Sequence, residues 1–386
     1  MTVEVRPLGD KCNIKCRYCY QDPVRAAGNL PSRYDVGAIL TRLEQIDEPF
    51  TLFGGEIMMT PRADLETLLA FGRDRHGGAG LQTNGTLIEE EDLARFASHA
   101  VRVGISIDGP GPLNDARWAG SLAATRRATA RTEAVIETLC REGRPPSVIV
   151  TLHRLNAGGA NLEVLSGWLR FLDRLGVRRV RLHTLESDSE AVSADLALAH
   201  DASLVVMRRL AALEAELTSV RFDVFAEMEA MLCGQDRDVS CEFHACDSYA
   251  TRAVTGVEGD GSLSNCGRTN KDGVVYQKTP REAYERQLGL YRTSQDHGGC
   301  AGCRFFLMCK GNCPGTAIGG DWRLRSVDCA VWFGLFEDLE GRLLAGGRTP
   351  LSLSPRRGEI EQSMVAAWEQ GDNPLLAELC ADSVGP

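Results

Sequence analysis

The sequence predicts an α/β chain: a partial (β/α)6 barrel followed by a small cysteine-rich domain. Three observations carry this expectation. Short β-rich runs alternate with longer helical segments over residues 1–185. Polar or glycine-rich motifs recur just after successive predicted strands. Between residues 240 and 330 the chain changes character and holds eight of its 14 cysteines.

The predicted strands are Val3–Leu8, Phe50–Phe53, Gly80–Thr83, Val101–Ile107, Val148–Leu152 and Val180–Thr184. The predicted helices between them are Tyr34–Ile46, Asp64–Arg73, Glu89–Phe96, Leu122–Arg141 and Leu162–Leu175; in the first, Ile39, Leu40 and Leu43 share one face. Alternating strand and helix imply a parallel sheet with right-handed crossovers. Six such units fall short of an eight-fold barrel, so an open, partial barrel is expected, with its chemistry at the C-terminal ends of the strands. The motifs fall there. A Cys12-x3-Cys16-x2-Cys19 run follows strand one and Gly54-Gly55-Glu56 follows strand two. Gln82-Thr83-Asn84-Gly85 follows strand three, and Ser106-Ile107-Asp108-Gly109 ends strand four. The expected boundaries are a barrel over 1–195, a helical bridge over 196–232, a cysteine-rich domain over 233–345 and a tail over 346–386. The tail carries a short helix-like stretch, Gly358–Gln370.

Composition narrows the class. Over 386 residues, 43% hydrophobic and 25% charged content suits a globular protein able to bury a core. A net charge of −10 argues against nucleic acid and anionic membranes as partners. No apolar run reaches the ~18 residues of a membrane span, and the N-terminus lacks a secretory apolar stretch. The expected location is cytoplasmic. In a reducing compartment cysteine clusters usually hold metal, not disulfides. Cys140, Cys233 and Cys380 stand outside the clusters and read as small buried hydrophobes or free thiols.

Three thiolates on a tight loop fit a [4Fe–4S] cluster with one iron left open; a zinc loop is the alternative, although structural zinc prefers four closed ligands. The segment Cys12-Asn13-Ile14-Lys15-Cys16-Arg17-Tyr18-Cys19, directly after a first strand, resembles the signature of the radical S-adenosylmethionine (SAM) superfamily. By that resemblance Gly54, Gly55 and Glu56 match the motif that contacts the SAM amino group. Gln82 and Asn84 match the polar turn after strand three. Ser106 and Asp108 match strand-four residues near the ribose and carboxylate, Arg117 an arginine that reaches the carboxylate, and Tyr18 an aromatic near the adenine. The resemblance implies that one electron from the cluster cleaves SAM to methionine and a 5′-deoxyadenosyl radical, which abstracts a substrate hydrogen. An electron donor such as flavodoxin or ferredoxin is implied as partner.

The late set, Cys300-x2-Cys303-x5-Cys309-x3-Cys313 and then Cys329, preceded by Cys246 and Cys266, resembles the SPASM domain of radical SAM enzymes that modify peptides and proteins. Cys241 resembles the further upstream cysteine of sulfatase-maturating relatives. The resemblance implies two auxiliary [4Fe–4S] clusters. Cys241, Cys246, Cys266 and Cys313 would hold the first, and Cys300, Cys303, Cys309 and Cys329 the second, making three clusters with the SAM-binding one.

Two substrate readings follow: modification of a ribosomally made peptide, installing a crosslink or other change, or sulfatase maturation to formylglycine. In the sulfatase enzymes an aspartate base follows the cysteine that matches Cys266; here that position is Gly267, which favours the peptide reading. A non-catalytic iron–sulfur electron-transfer protein is the alternative of another class, but it has no need of the Glu56, Ser106 and Arg117 set. Eleven residues precede Cys12, too few for a peptide-recognition winged helix. The expectation is that a precursor is held by the barrel mouth, the bridge, the tail or a separate recognition protein. Candidate acid–base residues at the mouth are His183 and Glu186, with His153 beside them; Asp223 and Glu227 in the bridge are weaker candidates.

Overall fold

The computed structural model describes residues 2–31, 33–186, 189–270 and 273–382. They form two compact units: residues 3–223 with 256–275, and residues 224–255 with 276–386.

The first unit is built on six parallel strands: β1 Thr2–Arg6, β2 Phe50–Leu52, β3 Gly80–Thr83, β4 Arg102–Ser106, β5 Ser147–Leu152 and β6 Arg179–Thr184. They lie side by side in chain order, with registers such as Val5 opposite Leu52, Thr83 opposite Ile105 and Thr151 opposite His183. Along β5, Val148, Val150 and Leu152 are buried while Ser147, Ile149 and Thr151 are half-buried. That period-two pattern separates a helix-covered face from a more open one.

Helices return the chain between strands. Val36–Ile46 starts on Asp35, whose carboxylate accepts from Ala38 N, and buries Ile39 and Leu43. Leu122–Arg141 starts on Ser121 and buries Thr125, Thr129 and Thr132 in addition to Val135, Ile136 and Leu139. Asn161–Leu175 buries Leu162, Leu165, Trp168, Leu169 and Leu172, the spacing of one helix face, and ends on left-handed Gly176.

Two differences from the sequence reading bear on the site. The segment read as a purely helical bridge contains a seventh parallel strand, β7 Arg221–Phe222, beside β6. Asp173 fixes it by accepting from the backbone N–H groups of Ser219 and Val220 at 2.6 and 2.8 Å. A two-residue strand is too short to show a period. Residues 256–275, which the sequence reading put in the cysteine-rich domain, pack with the barrel instead. A hairpin of Val254–Glu258 and Leu263–Ser264 continues the sheet beyond β1. Arg6, 1% exposed on β1, pairs with Glu258 at 2.7 Å and donates to Asn265 O at 2.6 Å.

The second unit is held by short turns around its cysteines and by the helices Asp223–Leu232, Glu285–Arg292, Cys329–Ala345, Arg357–Glu369 and Leu376–Asp382. Phe243, Phe305 and Phe336 form its apolar centre; Phe305 and Phe336 stack with centroids 5.2 Å apart. Among the described residues no helix is long and apolar enough to cross a membrane.

Candidate active site

The Cys12–Cys19 loop leaves β1 at its C-terminal end and is held from three sides. Gly54 and Gly55 press against its base. An added Cβ would lie 2.5 Å from Gly9 O at Gly54, where φ is +131°, and 2.3 Å from Lys11 O at Gly55. The pair therefore admits the loop backbone, which hydrogen-bonds back through Gly55 N to Gly9 O and Glu56 N to Lys11 O. On the second side a ribbon of two residue pairs, Lys15–Cys16 with Arg117–Trp118, sets Arg117 directly opposite Cys16. On the third, Asn84 Nδ2 donates to Asn13 Oδ1 at 2.9 Å and approaches Cys12 Sγ at 3.9 Å.

Glu56 is 1% exposed. Its Oε1 accepts from Thr83 Oγ1 at 2.7 Å and Met58 N at 3.0 Å, and its Oε2 from Asn84 N at 2.8 Å. Burial raises its pKa against these bonds. A carboxylate has about four acceptor positions; the unfilled one is on Oε2. Glu56 thus ties the second motif to the third, and Thr132 Oγ1 holds the same turn by donating to Asn84 O at 2.9 Å. Gln82 Nε2 donates to Ser106 Oγ at 2.8 Å.

Asp108 is fully buried and its acceptor positions are occupied. Oδ1 accepts from Arg117 Nη2 at 3.0 Å and Thr151 N at 3.1 Å; Oδ2 accepts from the Tyr18 hydroxyl and from His153 Nε2 at 3.4 Å. Burial alone would raise this carboxyl, but Arg117 and His153 outweigh it and hold it at about 2. Asp108 therefore orients Arg117 and Tyr18 and offers no open lone pair to a ligand. His153 is a structural histidine: its Nδ1 caps a helical turn by accepting from Leu155 N at 3.2 Å. The Arg117 guanidinium lies 5.8 Å over the Tyr18 ring, and its Nε is buried with no hydrogen-bond partner among the described residues.

His183 and Glu186 meet on one residue that sequence reasoning did not single out, Arg268. Its Nη2 donates to His183 Nδ1 at 2.9 Å and its Nη1 pairs with Glu186 Oε1 at 2.8 Å. Arginine cannot accept, so His183 Nδ1 carries the lone pair and the ring proton sits on Nε2. Burial, then Arg268, Arg181 and Arg117, hold the His183 pKa well below its usual value. His183 is thereby a neutral Nε2–H donor. The bridge carboxylates are engaged elsewhere: Asp223 pairs with Arg181 at 3.3 Å, and Glu227 accepts from Ser240 N at 3.0 Å. Asn114 is a second residue without a sequence signal. It accepts from Asp108 N at 2.8 Å and donates to Thr129 Oγ1 at 2.9 Å, anchoring strand four's end to the threonine stripe.

In the cysteine-rich unit Cys300, Cys303, Cys309 and Cys329 line one pocket walled by Phe305, Phe306 and Trp332. Burial pushes the Cys300 thiol up to about 12 and raises the other three. Cys241, Cys246 and Cys313 belong to this unit and Cys266 to the barrel unit. Among the described residues no three His, Cys, Asp or Glu side chains converge as closely as one metal ion requires. Thiols are the donor type that iron–sulfur clusters use, and four of them line that one pocket. At Gly267 an added Cβ would lie 3.2 Å from Arg6 Nη1 and 3.3 Å from Tyr20 Cε2, so a longer side chain requires those buried neighbours to give.

Residues 7–158 match the radical SAM superfamily model. The serine-type anaerobic sulfatase-maturating enzyme of Bacteroides thetaiotaomicron is 29% identical over 126 residues, 29% of this chain and 30% of that protein. The match thus spans under a third of that relative's length. Mycofactocin maturase MftC of Mycobacterium ulcerans is 29% identical over 319 residues, 78% of this chain and 80% of that protein. The solved structure of native anSMEcpe with bound AdoMet and Kp18Cys peptide aligns with a TM-score of 0.67 at 18% identity, over 89% of this chain and 98% of that one, which is a likeness of fold. The parallel barrel, the three-cysteine loop at its strand ends and the family match agree that residues 7–158 form a radical SAM domain.

Proposed function

We propose that this protein is a radical SAM enzyme that modifies a ribosomally made peptide. Cys12, Cys16 and Cys19 would hold one [4Fe–4S] cluster and leave an iron for SAM. The observation that carries the reading is the register pairing Cys16 with Arg117, because it sets a buried guanidinium with an unpartnered Nε beside a loop of three thiols. That donor suits the SAM carboxylate, and the open position on Glu56 Oε2 suits its ammonium. When bound, SAM and its cluster supply reductive cleavage of the sulfonium and hydrogen abstraction. The chain's own residues orient the cofactor: Asp108 aims Arg117, Thr83 and Asn84 hold Glu56, and Gln82 and Ser106 line the strand ends.

The bound AdoMet and peptide of anSMEcpe support SAM as cofactor and a peptide as partner. The four-cysteine cavity supports an auxiliary cluster on Cys300, Cys303, Cys309 and Cys329. Cys241, Cys246, Cys266 and Cys313 complete the proposed second one. Flavodoxin or ferredoxin is the proposed electron donor, and a separate protein could present the precursor. His183, through Nε2–H, and Glu186, through Arg268, are proposed to position the peptide at the barrel mouth. Gly267 has no side chain to act as a base there, which disfavours formylglycine formation.

The test is anaerobic incubation of reconstituted protein with SAM and dithionite. Methionine and 5′-deoxyadenosine are expected; absence of the nucleoside refutes the proposal. Iron should approach about 12 per chain with three cubanes. Co-expression with a candidate precursor should then change that peptide's mass.

A further inference from the structure

We propose that Arg286 is the counter-charge of the auxiliary clusters, a buried guanidinium that sets their reduction potential. The inference rests on the auxiliary-cluster reading above. Arg286 is the second residue of the helix Glu285–Arg292 and is 1% exposed. Four of its five N–H groups find acceptors, and every one is a backbone carbonyl. Nε donates to Trp322 O at 2.7 Å, Nη1 to Cys246 O at 2.9 Å, and Nη2 to Gly311 O at 3.3 Å and Leu324 O at 3.1 Å. Among the described residues no carboxylate reaches it at ion-pair distance. The carboxyl of Asp247 is in its field, but its described bonds run to Tyr249 N and Ala250 N at 2.7 and 2.6 Å.

Carbonyl dipoles satisfy hydrogen bonds without cancelling a charge, and an isolated buried cation is costly. The groups that share its surroundings are chiefly thiols, anionic once they ligate a cluster: Cys246, Cys313 and Cys300 lead, ahead of Asp247. The bonded carbonyls place it between the loops that carry them. Cys246 belongs to the first proposed ligand set, and Gly311 lies between Cys309 of the second set and Cys313 of the first. Gln287, fully buried on the same helix, donates a second bond to Cys246 O at 3.0 Å and fixes that loop to the helix. An oxidised cubane on four thiolates is a dianion and gains another negative charge on reduction. A fixed cation at short range in a low dielectric favours the reduced form, so Arg286 raises the potential. Its guanidinium stays charged throughout, because arginine does not deprotonate in proteins.

The experiment is a potentiometric titration, followed by electron paramagnetic resonance, of the reconstituted full chain as wild type, Arg286→Gln and Arg286→Lys. The signal that changes on adding SAM is set aside as the barrel cluster. Arg286→Gln is expected to keep its iron and shift an auxiliary couple to more negative potential, at high salt as well as low, since a buried charge is not screened. Arg286→Lys is expected to hold the wild-type couple. An unshifted couple in fully loaded Arg286→Gln overturns the proposal. So does an equal shift in both variants, which would assign the effect to hydrogen-bond geometry. If Arg286→Gln loses auxiliary iron, Arg286→Lys decides: full iron with the wild-type couple supports the counter-charge, and loss in both overturns it. Wild-type protein with about four irons would instead remove the auxiliary-cluster reading, before any variant is compared.

Discussion

Replacing Asp108 by Asn removes the charge on which four donors converge. The folded carboxyl is held at about 2, against 3.8 when unperturbed. That difference corresponds to roughly 2.5 kcal/mol at pH 7. Stranding Arg117, 10% exposed, adds a buried cation without its partner, and breaking such pairs typically costs about 3–5 kcal/mol. A loss of about 3 kcal/mol is expected, read by urea unfolding of reconstituted protein under anaerobic conditions. The pH dependence follows from the sign. The folded value lies below the unfolded one, so the stabilisation is complete above roughly pH 5 and fades as pH falls toward 2. Between pH 8 and 5.5 the deficit of Asp108→Asn should therefore stay constant. Wild-type stability in the variant, or a deficit that changes across that range, would refute the reasoning. Calorimetric SAM binding should weaken about tenfold or more in parallel, because Arg117 and Tyr18 lose their common anchor.

Cys16→Ala should abolish 5′-deoxyadenosine formation while about eight irons remain per chain; persistent cleavage would move the SAM site elsewhere. Gly267→Asp should yield no formylglycine from a sulfatase-derived peptide by mass spectrometry. Arg268→Gln should let the His183 pKa rise, since Arg268 is the leading charge that lowers it after burial. Any acid-side loss of peptide modification should then begin at a higher pH in this variant than in the wild type, while burial, Arg181 and Arg117 still hold His183 below its usual value.

The alternating pattern was legible because the strand runs are short and largely apolar and helices with one apolar face lie between them. Leu122–Arg141 runs from the first to the last residue the periodicity indicates. The loop cysteines were legible because three thiols at that spacing on one tight loop have few other uses. What escaped was set by tertiary contacts. The strand Arg221–Phe222 exists because Asp173, far away in sequence, caps its entry. Arg268 reaches His183 across 85 positions, and nothing local marks it. The glycine pair at 54–55 also admits the backbone of the cysteine loop, a packing role that the motif alone does not name. Asp108 sits where the resemblance places a residue near the SAM ribose and carboxylate, and in the structure its acceptor positions are taken by Arg117, Thr151, Tyr18 and His153. Sequence shows which residues could touch a cofactor; it cannot show which of them are already spoken for.

The ribbon that joins Cys16 to Arg117 is two residue pairs long. So short a ladder has little stability of its own, so metallation of one strand has to steady the other. Loading iron onto the thiols should therefore build the carboxylate anchor at the same moment, and stripping iron should dismantle it. The apoprotein would be a poor host for SAM, which makes cofactor capture conditional on the order in which the chain is assembled.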